Sequence, residues 1–199
     1  EGYDWDNDVQ EMRRAARDGL LLSNHSYGYI HGFDYSFDDR RWEWYGTIDI
    51  DEEEDFNFGF YSEDARAWDQ VAFDYPHYLI VKSAGNDRLE GPPPGTEHYI
   101  FIPFQGWQPS TEVRNPDGGP DGFDCIGTRA TAKNIMTVGA VNDIATGYRN
   151  PEDVVMTDYS TFGPTDDGRI KPDIVANGEW LYSTFAGSDE SYNILEGTS

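Results

Sequence analysis

The chain has 199 residues and carries 38 Asp and Glu against 14 Lys and Arg, so its formal net charge is −24 at pH 7. Nucleic acids and anionic membranes bind through basic patches, and this charge balance excludes both as expected partners. The single cysteine, Cys125, excludes an internal disulfide and any metal cluster built on several cysteines. The sequence contains no run of about 18 apolar residues, so no membrane span is predicted.

The N-terminal part predicts a helix followed by a strand. Residues 6–18 have a helical pattern in which Asp6 or Asn7 can cap the start and basic residues follow acidic ones, as the helix dipole favours. Three leucines at 20–22 then begin a strand that we expect to be buried and to run out through residues 23–26.

The middle of the chain repeats this order of helix and strand. Residues 61–75 predict a second helix, capped by Ser62 and ended by Pro76. The apolar run at 79–81 predicts a buried strand, and 135–141 and 174–176 predict two more. Residues 180–185 and 192–195 predict a hairpin. Alternating helices and strands indicate an α/β fold with a parallel sheet.

Two long stretches interrupt the pattern. The first, residues 29–60, holds Trp42, Trp44 and Tyr45 among many acids, and we expect it to pack onto the body, with a binding surface as the alternative. The second, residues 88–129, is rich in Pro and Gly and is predicted to be irregular. Neither contains a repeat or a domain boundary that the sequence would indicate.

The end of the strand at 79–81 is the first candidate site. Ligands of open α/β sheets bind at the carboxyl ends of strands, and here small residues, Ser83-Ala84-Gly85, lead into Asn86. The amide of Asn86 could donate to an oxygen that becomes negative during a reaction. Alternatively, Gly-Asn is ordinary turn chemistry.

Several blocks in a fixed order extend this observation. Residues 23–28, 78–86, 131–141, 159–164, 169–178 and 196–199 together resemble the subtilisin-like serine protease family, from about Val9 to Ser199. The resemblance implies a doubly wound, mostly parallel sheet flanked by helices, with two long loop insertions at about 29–60 and 88–129. We accordingly expect a single partial catalytic domain over residues 1–199.

The resemblance also implies roles for individual residues. Ser199 matches the nucleophile, which forms an acyl-enzyme with a polypeptide substrate, and Asn86 matches the side-chain donor to the oxyanion. Tyr27 could contact substrate or pack in the core, and Ser26 could be an ordinary polar strand end. The two backbone edges that would bind the extended substrate are Ser26, Tyr27, Gly28 and Ser83, Ala84, Gly85.

The chain departs from the family in its triad. The family's Asp and His motifs lie upstream of the first substrate edge, and no such block is present before Ser26. None of His25, His31, His77 and His98 matches the family's base, and His25 is expected to face the core or a neighbouring helix. We therefore expect a fragment that lacks the upstream Asp and His blocks and is inactive or nearly so.

Cofactors and alternatives complete the expectations. The resemblance implies that no cofactor is required for chemistry, that structural calcium is possible and that the protein is extracellular or at the cell surface. Residues 49–55 and the acidic loop at 115–124 could bind calcium, but a solvated acidic surface is the expected explanation of both. One alternative function is a non-catalytic subtilase-like binding protein. Another is an acidic calcium- or carbohydrate-binding module using Trp42, Trp44 and Trp107, which would be a β-sandwich.

Overall fold

This computed structural model describes residues 7–199. These residues form two α-helices, ten strands and two short 3-10 helices, joined by loops. The helices are α1 (Asp8–Arg17) and α2 (Glu63–Asp74), and the 3-10 helices span Thr128–Thr131 and Pro151–Asp153. The strands are β1 (Leu22–His25), β2 (Phe33–Ser36), β3 (Arg41–Trp44), β4 (Leu79–Ser83), β5 (His98–Ile102), β6 (Gly106–Ser110), β7 (Met136–Val141), β8 (Ile174–Asn177), β9 (Leu181–Thr184) and β10 (Tyr192–Leu195).

A four-stranded parallel sheet in the order β1-β4-β7-β8 forms the centre of the fold. Its register aligns Leu22 with Leu79, and β4 pairs with β7 through Val81 and Met136. Because every pairing is parallel, the carboxyl ends of β1 and β4 lie at the same edge of the sheet. The predicted α/β fold with a mostly parallel sheet is confirmed.

Helices α1 and α2 pack together and share one apolar core with the sheet. Met12 of α1 is 3% exposed, and Trp68 and Val71 of α2 are 1% and 0% exposed. They meet Ile80 of β4 and Ile135, which precedes β7. Burial of side chains of this size stabilises a fold by about 1.5–3 kcal/mol each, so this cluster holds β4 and its carboxyl end in place.

The two insertions together build a second sheet. Its order is β2-β3-β5-β6, with a parallel pairing between β3 and β5 and antiparallel pairings at either side. Residues 88–129 are therefore not irregular throughout, and that expectation was wrong. Pro and Gly lie mainly in the connections, while Pro109 is on β6, an edge strand where a missing N–H can be accommodated.

The aromatic residues of the first insertion pack within this second sheet. Trp44 is 1% exposed and lies under the guanidinium of Arg114, 4.5 Å from the ring centroid. Trp42 contacts the ring of Tyr35 edge-on at 5.3 Å, and Trp107 contacts that of Tyr45 at 5.1 Å. These ring contacts lie within the second sheet, and the expectation that the first insertion packs onto the body stays a prediction.

The strand starting at the three leucines was predicted to be buried, and this was wrong. Leu20, Leu21 and Leu22 are 43%, 67% and 56% exposed, and the strand begins only at Leu22. The reason is topological, since β1 lies at one edge of the described parallel sheet. At the other edge, β8 is also exposed along its length.

Most other predicted elements are confirmed with small shifts of their ends. The hydroxyl of Ser62 accepts a hydrogen bond from the backbone N–H of Ala65 and caps α2 as expected. Asn7 is the N-cap residue of α1 but makes no side-chain capping hydrogen bond, and the alternative cap Asp6 lies outside the described residues. Strands β9 and β10 form the predicted hairpin. No helix among residues 7–199 is long and apolar enough to cross a membrane.

Candidate active site

A pocket of about 240 Å³ opens at the carboxyl ends of β1 and β4. Both predicted substrate edges line it, and so do the two residues predicted for chemistry. The lining includes Ser26, Tyr27, Gly28, Ser83, Ala84, Gly85, Asn86, Thr198 and Ser199. The structure thus brings together all eight site residues that the sequence predicted.

Asn86 is joined to the segment that carries Ser199 through Thr198. The side-chain oxygen of Asn86 accepts hydrogen bonds from the backbone N–H and from the hydroxyl of Thr198, both at 2.9 Å. The same hydroxyl accepts from the backbone N–H of Gly85 at 3.2 Å. Both Asn86 and Ser199 are exposed, whereas Thr198 is buried. The amide NH2 of Asn86 is consequently the part of this side chain that remains for a ligand.

The turn after β4 depends on a glycine. Gly85 has φ +129°, in the region that favours glycine, and a Cβ there would lie 2.9 Å from the hydroxyl of Thr161. Its carbonyl also accepts from the backbone N–H of Thr161 at 3.1 Å. The close approach of residue 161 therefore fixes the direction in which the chain presents Asn86.

His25 supports the segment predicted to be the first substrate edge. Its Nδ1 hydrogen-bonds the hydroxyl of Tyr27 at 2.7 Å, and its ring packs edge-on against Trp68 of α2 at 4.9 Å. Burial, and then the positive charges of Lys82 and Arg129, lower the pKa of His25 to about 4. The expectation that His25 faces a neighbouring helix is confirmed. Tyr27 lines the pocket and contacts the buried His25, and its contact with substrate stays a prediction.

Of the four histidines, only His31 lines this pocket. Its Nδ1 lies 3.8 Å from a carboxylate oxygen of the buried Asp55, and burial lowers its pKa. His98 is buried in the second sheet, where Arg114 donates to its Nε2 at 2.7 Å. His77 is exposed between α2 and β4.

Two cations in the pocket were missed by sequence reasoning. Lys82 is 4% exposed at the end of β4, and its ammonium donates to the carbonyl and the hydroxyl of Ser83 at 2.8 and 2.9 Å. Burial, and then Arg129, lower the pKa of Lys82 to about 8. Arg129, at 6% exposed, donates to Asp8 at 2.9 Å. A lysine two residues after Ile80 shares the buried side of the strand, and this alternation is the signal that could have found it.

Acidic side chains are buried beside the pocket. Both oxygens of Asp117 accept from the backbone N–H of Phe33, at 3.0 and 3.1 Å, and burial raises the pKa of Asp117 to about 10. Asp55 accepts from the backbone N–H of Gly32 at 2.9 Å. Among residues 7–199, no group of three or more His, Cys, Asp or Glu side chains is arranged to hold a metal ion. Cys125 is a buried free thiol, as expected.

Comparisons with known proteins identify the family of the chain. The family model described as the subtilase family matches residues 3–199. A protein of Dictyostelium discoideum named serine protease/ABC transporter B family protein tagB is 26% identical over an alignment of 165 residues that covers 67% of this chain. The chain spans only 9% of the length of that relative. The solved structure of the Clostridium perfringens CspB protease aligns with 61% of this chain and 46% of its own, at 15% identity and a TM-score of 0.37.

Proposed function

The chain belongs to the subtilase family, and we propose that it supplies the nucleophile, the oxyanion donor and the substrate edges of a serine endopeptidase. The chemistry of this family needs no cofactor. The observation that carries the proposal is the convergence of Asn86 and Ser199 on one pocket through the hydrogen bonds of Thr198.

In this proposal, Ser199 attacks the scissile carbonyl and forms the acyl-enzyme. The carbonyl oxygen becomes negative as the tetrahedral intermediate forms, and the NH2 of Asn86 donates to it. Preorganisation matters here, because a donor that is already oriented stabilises the charge without reorganising. The two hydrogen bonds to its oxygen hold Asn86 in that orientation. Loss of one such donor typically costs about 3 kcal/mol of transition-state stabilisation.

We propose that the substrate is a polypeptide bound in extended form. The segments 26–28 and 83–85 border the same pocket, and a peptide between them can pair with main-chain groups on both sides. Such pairing makes few demands on substrate sequence, so selectivity must come from side chains within the pocket. The family also motivates an extracellular or cell-surface location.

Hydrolysis further requires a base for the hydroxyl of Ser199 and a carboxylate to orient that base. None of the four histidines matches the family's base, so we propose that the 199-residue chain by itself hydrolyses peptides poorly or not at all. His31 is the test of this part, because it lines the pocket and faces Asp55. Its lowered pKa keeps it neutral, the state a base requires.

A casein digestion by the purified chain tests the proposed inactivity. We expect no hydrolysis above that of Ser199→Ala. Hydrolysis by the unchanged chain that is absent in Ser199→Ala would show that a base is present after all. If His31→Gln also lost this hydrolysis while His77→Gln kept it, His31 would be that base. His77 is the matched control because it is exposed and outside the pocket.

A non-catalytic relative that uses the same cleft for binding is the second candidate, and the unmatched histidines favour it. Determining the coding sequence on both sides of these 199 codons discriminates the two. Upstream Asp-Gly and His-Gly-x-His blocks support the endopeptidase, and their absence supports the binding protein. A carbohydrate-binding module would be a β-sandwich, whereas the central sheet is parallel. Calcium binding by the two acidic loops is tested by measuring the melting temperature during a calcium titration. No shift at millimolar calcium would exclude both loops as calcium sites.

A further inference from the structure

The deepest charged group of the pocket is a lysine that lacks a counter-ion in contact. Lys82 is 4% exposed, and no carboxylate of residues 7–199 lies within 4.0 Å of its ammonium. Lys171 offers a comparison in the same chain, because it is 5% exposed but pairs with Asp173 at 2.6 Å. Burying an ammonium without an anion costs free energy, which a bound anion would recover.

The other buried cation of the pocket already has its anions. Arg129 contacts Asp8 at 2.9 Å and Asp64 at 3.5 Å, and it donates to the hydroxyl of Tyr29 at 2.8 Å. Lys82 instead uses two of its three N–H donors on Ser83, a neutral residue. One N–H donor of Lys82 therefore remains for an incoming group, and no carboxylate in contact neutralises its charge.

The pocket also contains two carboxylates, but neither neutralises Lys82 by contact. Asp34 and Asp87 line the pocket, and both lie more than 4.0 Å from the ammonium. Burial, and then Asp34, raise the pKa of Asp87, whereas the charge of Lys82 lowers it. Lys82 is near the end of β4, four residues before Asn86. It therefore lines the same pocket as the two residues proposed for chemistry, Asn86 and Ser199.

We propose that Lys82 makes this site selective for substrates with an acidic side chain on the residue that provides the scissile carbonyl. The proposal rests on the proposed function, because that function places the carbonyl between Asn86 and Ser199. A side chain projecting from that residue enters the pocket, and its carboxylate can accept from Lys82 and from the hydroxyl of Ser83. Charge-assisted hydrogen bonds of this kind are the stronger ones in proteins.

Binding of product-like peptides tests the selectivity without requiring turnover. The probes are two acetylated tetrapeptides that differ only in ending with Glu or with Gln, titrated calorimetrically in 0.5 M NaCl to screen the net charge of −24. Glu and Gln have nearly the same shape, so their difference reports the side-chain charge. We expect the Glu peptide to bind about tenfold or more tightly, as for hydrogen bonds to charged groups.

Variants assign the preference to Lys82. Lys82→Met should bind the two peptides equally and should not melt at a lower temperature, because it removes a buried charge without an anion. Lys133→Met, outside the pocket with a side chain 45% exposed, should keep the preference. Equal affinity of the two peptides for the unchanged chain, with both weakened by Asn86→Ala, would overturn the selectivity and leave the proposed function standing. If neither peptide binds, both proposals fail.

Discussion

The side-chain oxygen of Asn86 accepts two hydrogen bonds, from the backbone N–H and the hydroxyl of Thr198, although the residues are 112 positions apart in the chain. This contact uses the acceptor of Asn86 and leaves the NH2 donors of this pocket-lining side chain available. It also fixes the backbone immediately before Ser199. One buried threonine therefore positions both groups that the proposed function requires.

Thr198→Val tests this positioning. Valine keeps the shape of threonine but removes the hydroxyl that donates to Asn86 and accepts from Gly85. We expect a loss of about 2 kcal/mol in the free energy of unfolding, because the N–H of residue 85 is left unpaired. Urea denaturation measures this loss, and peptide titration should show weaker binding as well.

Thr146→Val is the matched control, because Thr146 is exposed in a turn. Its stability should change by less than about 0.5 kcal/mol, the usual limit at such surface positions. Equal effects of the two substitutions would show that Thr198 has no special role in holding the site.

Buried acids make the stability of the chain depend on pH. Burial, and then nearby carboxylates, raise the pKa of Asp117 to about 10 and that of Glu90 to about 7. A raised pKa means that the folded state keeps a proton that the unfolded state loses, so stability falls as pH rises. Groups with a lowered pKa make stability rise with pH instead. The pKa of His25 is lowered to about 4, so its contribution is complete by about pH 6.5. The pKa of Lys82 is lowered to about 8, so its contribution begins only above about pH 8.

Between pH 6.5 and 8 the acids therefore dominate. We expect the free energy of unfolding to fall by on the order of 2 kcal/mol over this interval from Asp117 alone. Asp117→Asn, which keeps an acceptor for the N–H of Phe33, should flatten the dependence, while Asp121→Asn at an exposed position should not. Urea denaturation at the two pH values measures it. A stability that rises with pH in all three proteins would contradict the assignment.

The large net charge predicts a response to salt. Mutual repulsion among charges that sum to −24 destabilises the compact state, and salt screens it. The melting temperature should rise between 0.1 and 2 M NaCl, and potassium chloride should act similarly because the effect is screening. A melting temperature that is independent of both salts would contradict a destabilising effect of the net charge.

Local patterns were sufficient to predict most of the central fold. Helix α2 and strand β4 follow from apolar spacing and from clear signals at their ends, such as Ser62 and Pro76. The second sheet was missed because its pairing joins strands from two distant insertions, and no local period reports that pairing. The exposure of Leu20–Leu22 was missed for a related reason, since an apolar run does not tell whether a strand lies at a sheet edge.

Some residues of the candidate site could also be predicted from the sequence, and others could not. The residues that the family motifs carry, Asn86 and Ser199 among them, were named from the sequence and lie around one pocket. Lys82 and His31 were not assigned, because their importance depends on which side chains surround them and not on any motif. The link through Thr198 likewise needed coordinates, since it joins two motifs that the chain separates by 112 residues.

The most direct test of the account is a structure of the chain with a bound acetylated tetrapeptide that ends in a free carboxylate. We predict that the terminal carboxylate accepts a hydrogen bond from the NH2 of Asn86 and lies within hydrogen-bond distance of the hydroxyl of Ser199. The peptide should run extended between residues 26–28 and 83–85. A peptide bound elsewhere, or one whose carboxylate contacts neither Asn86 nor Ser199, would contradict the account.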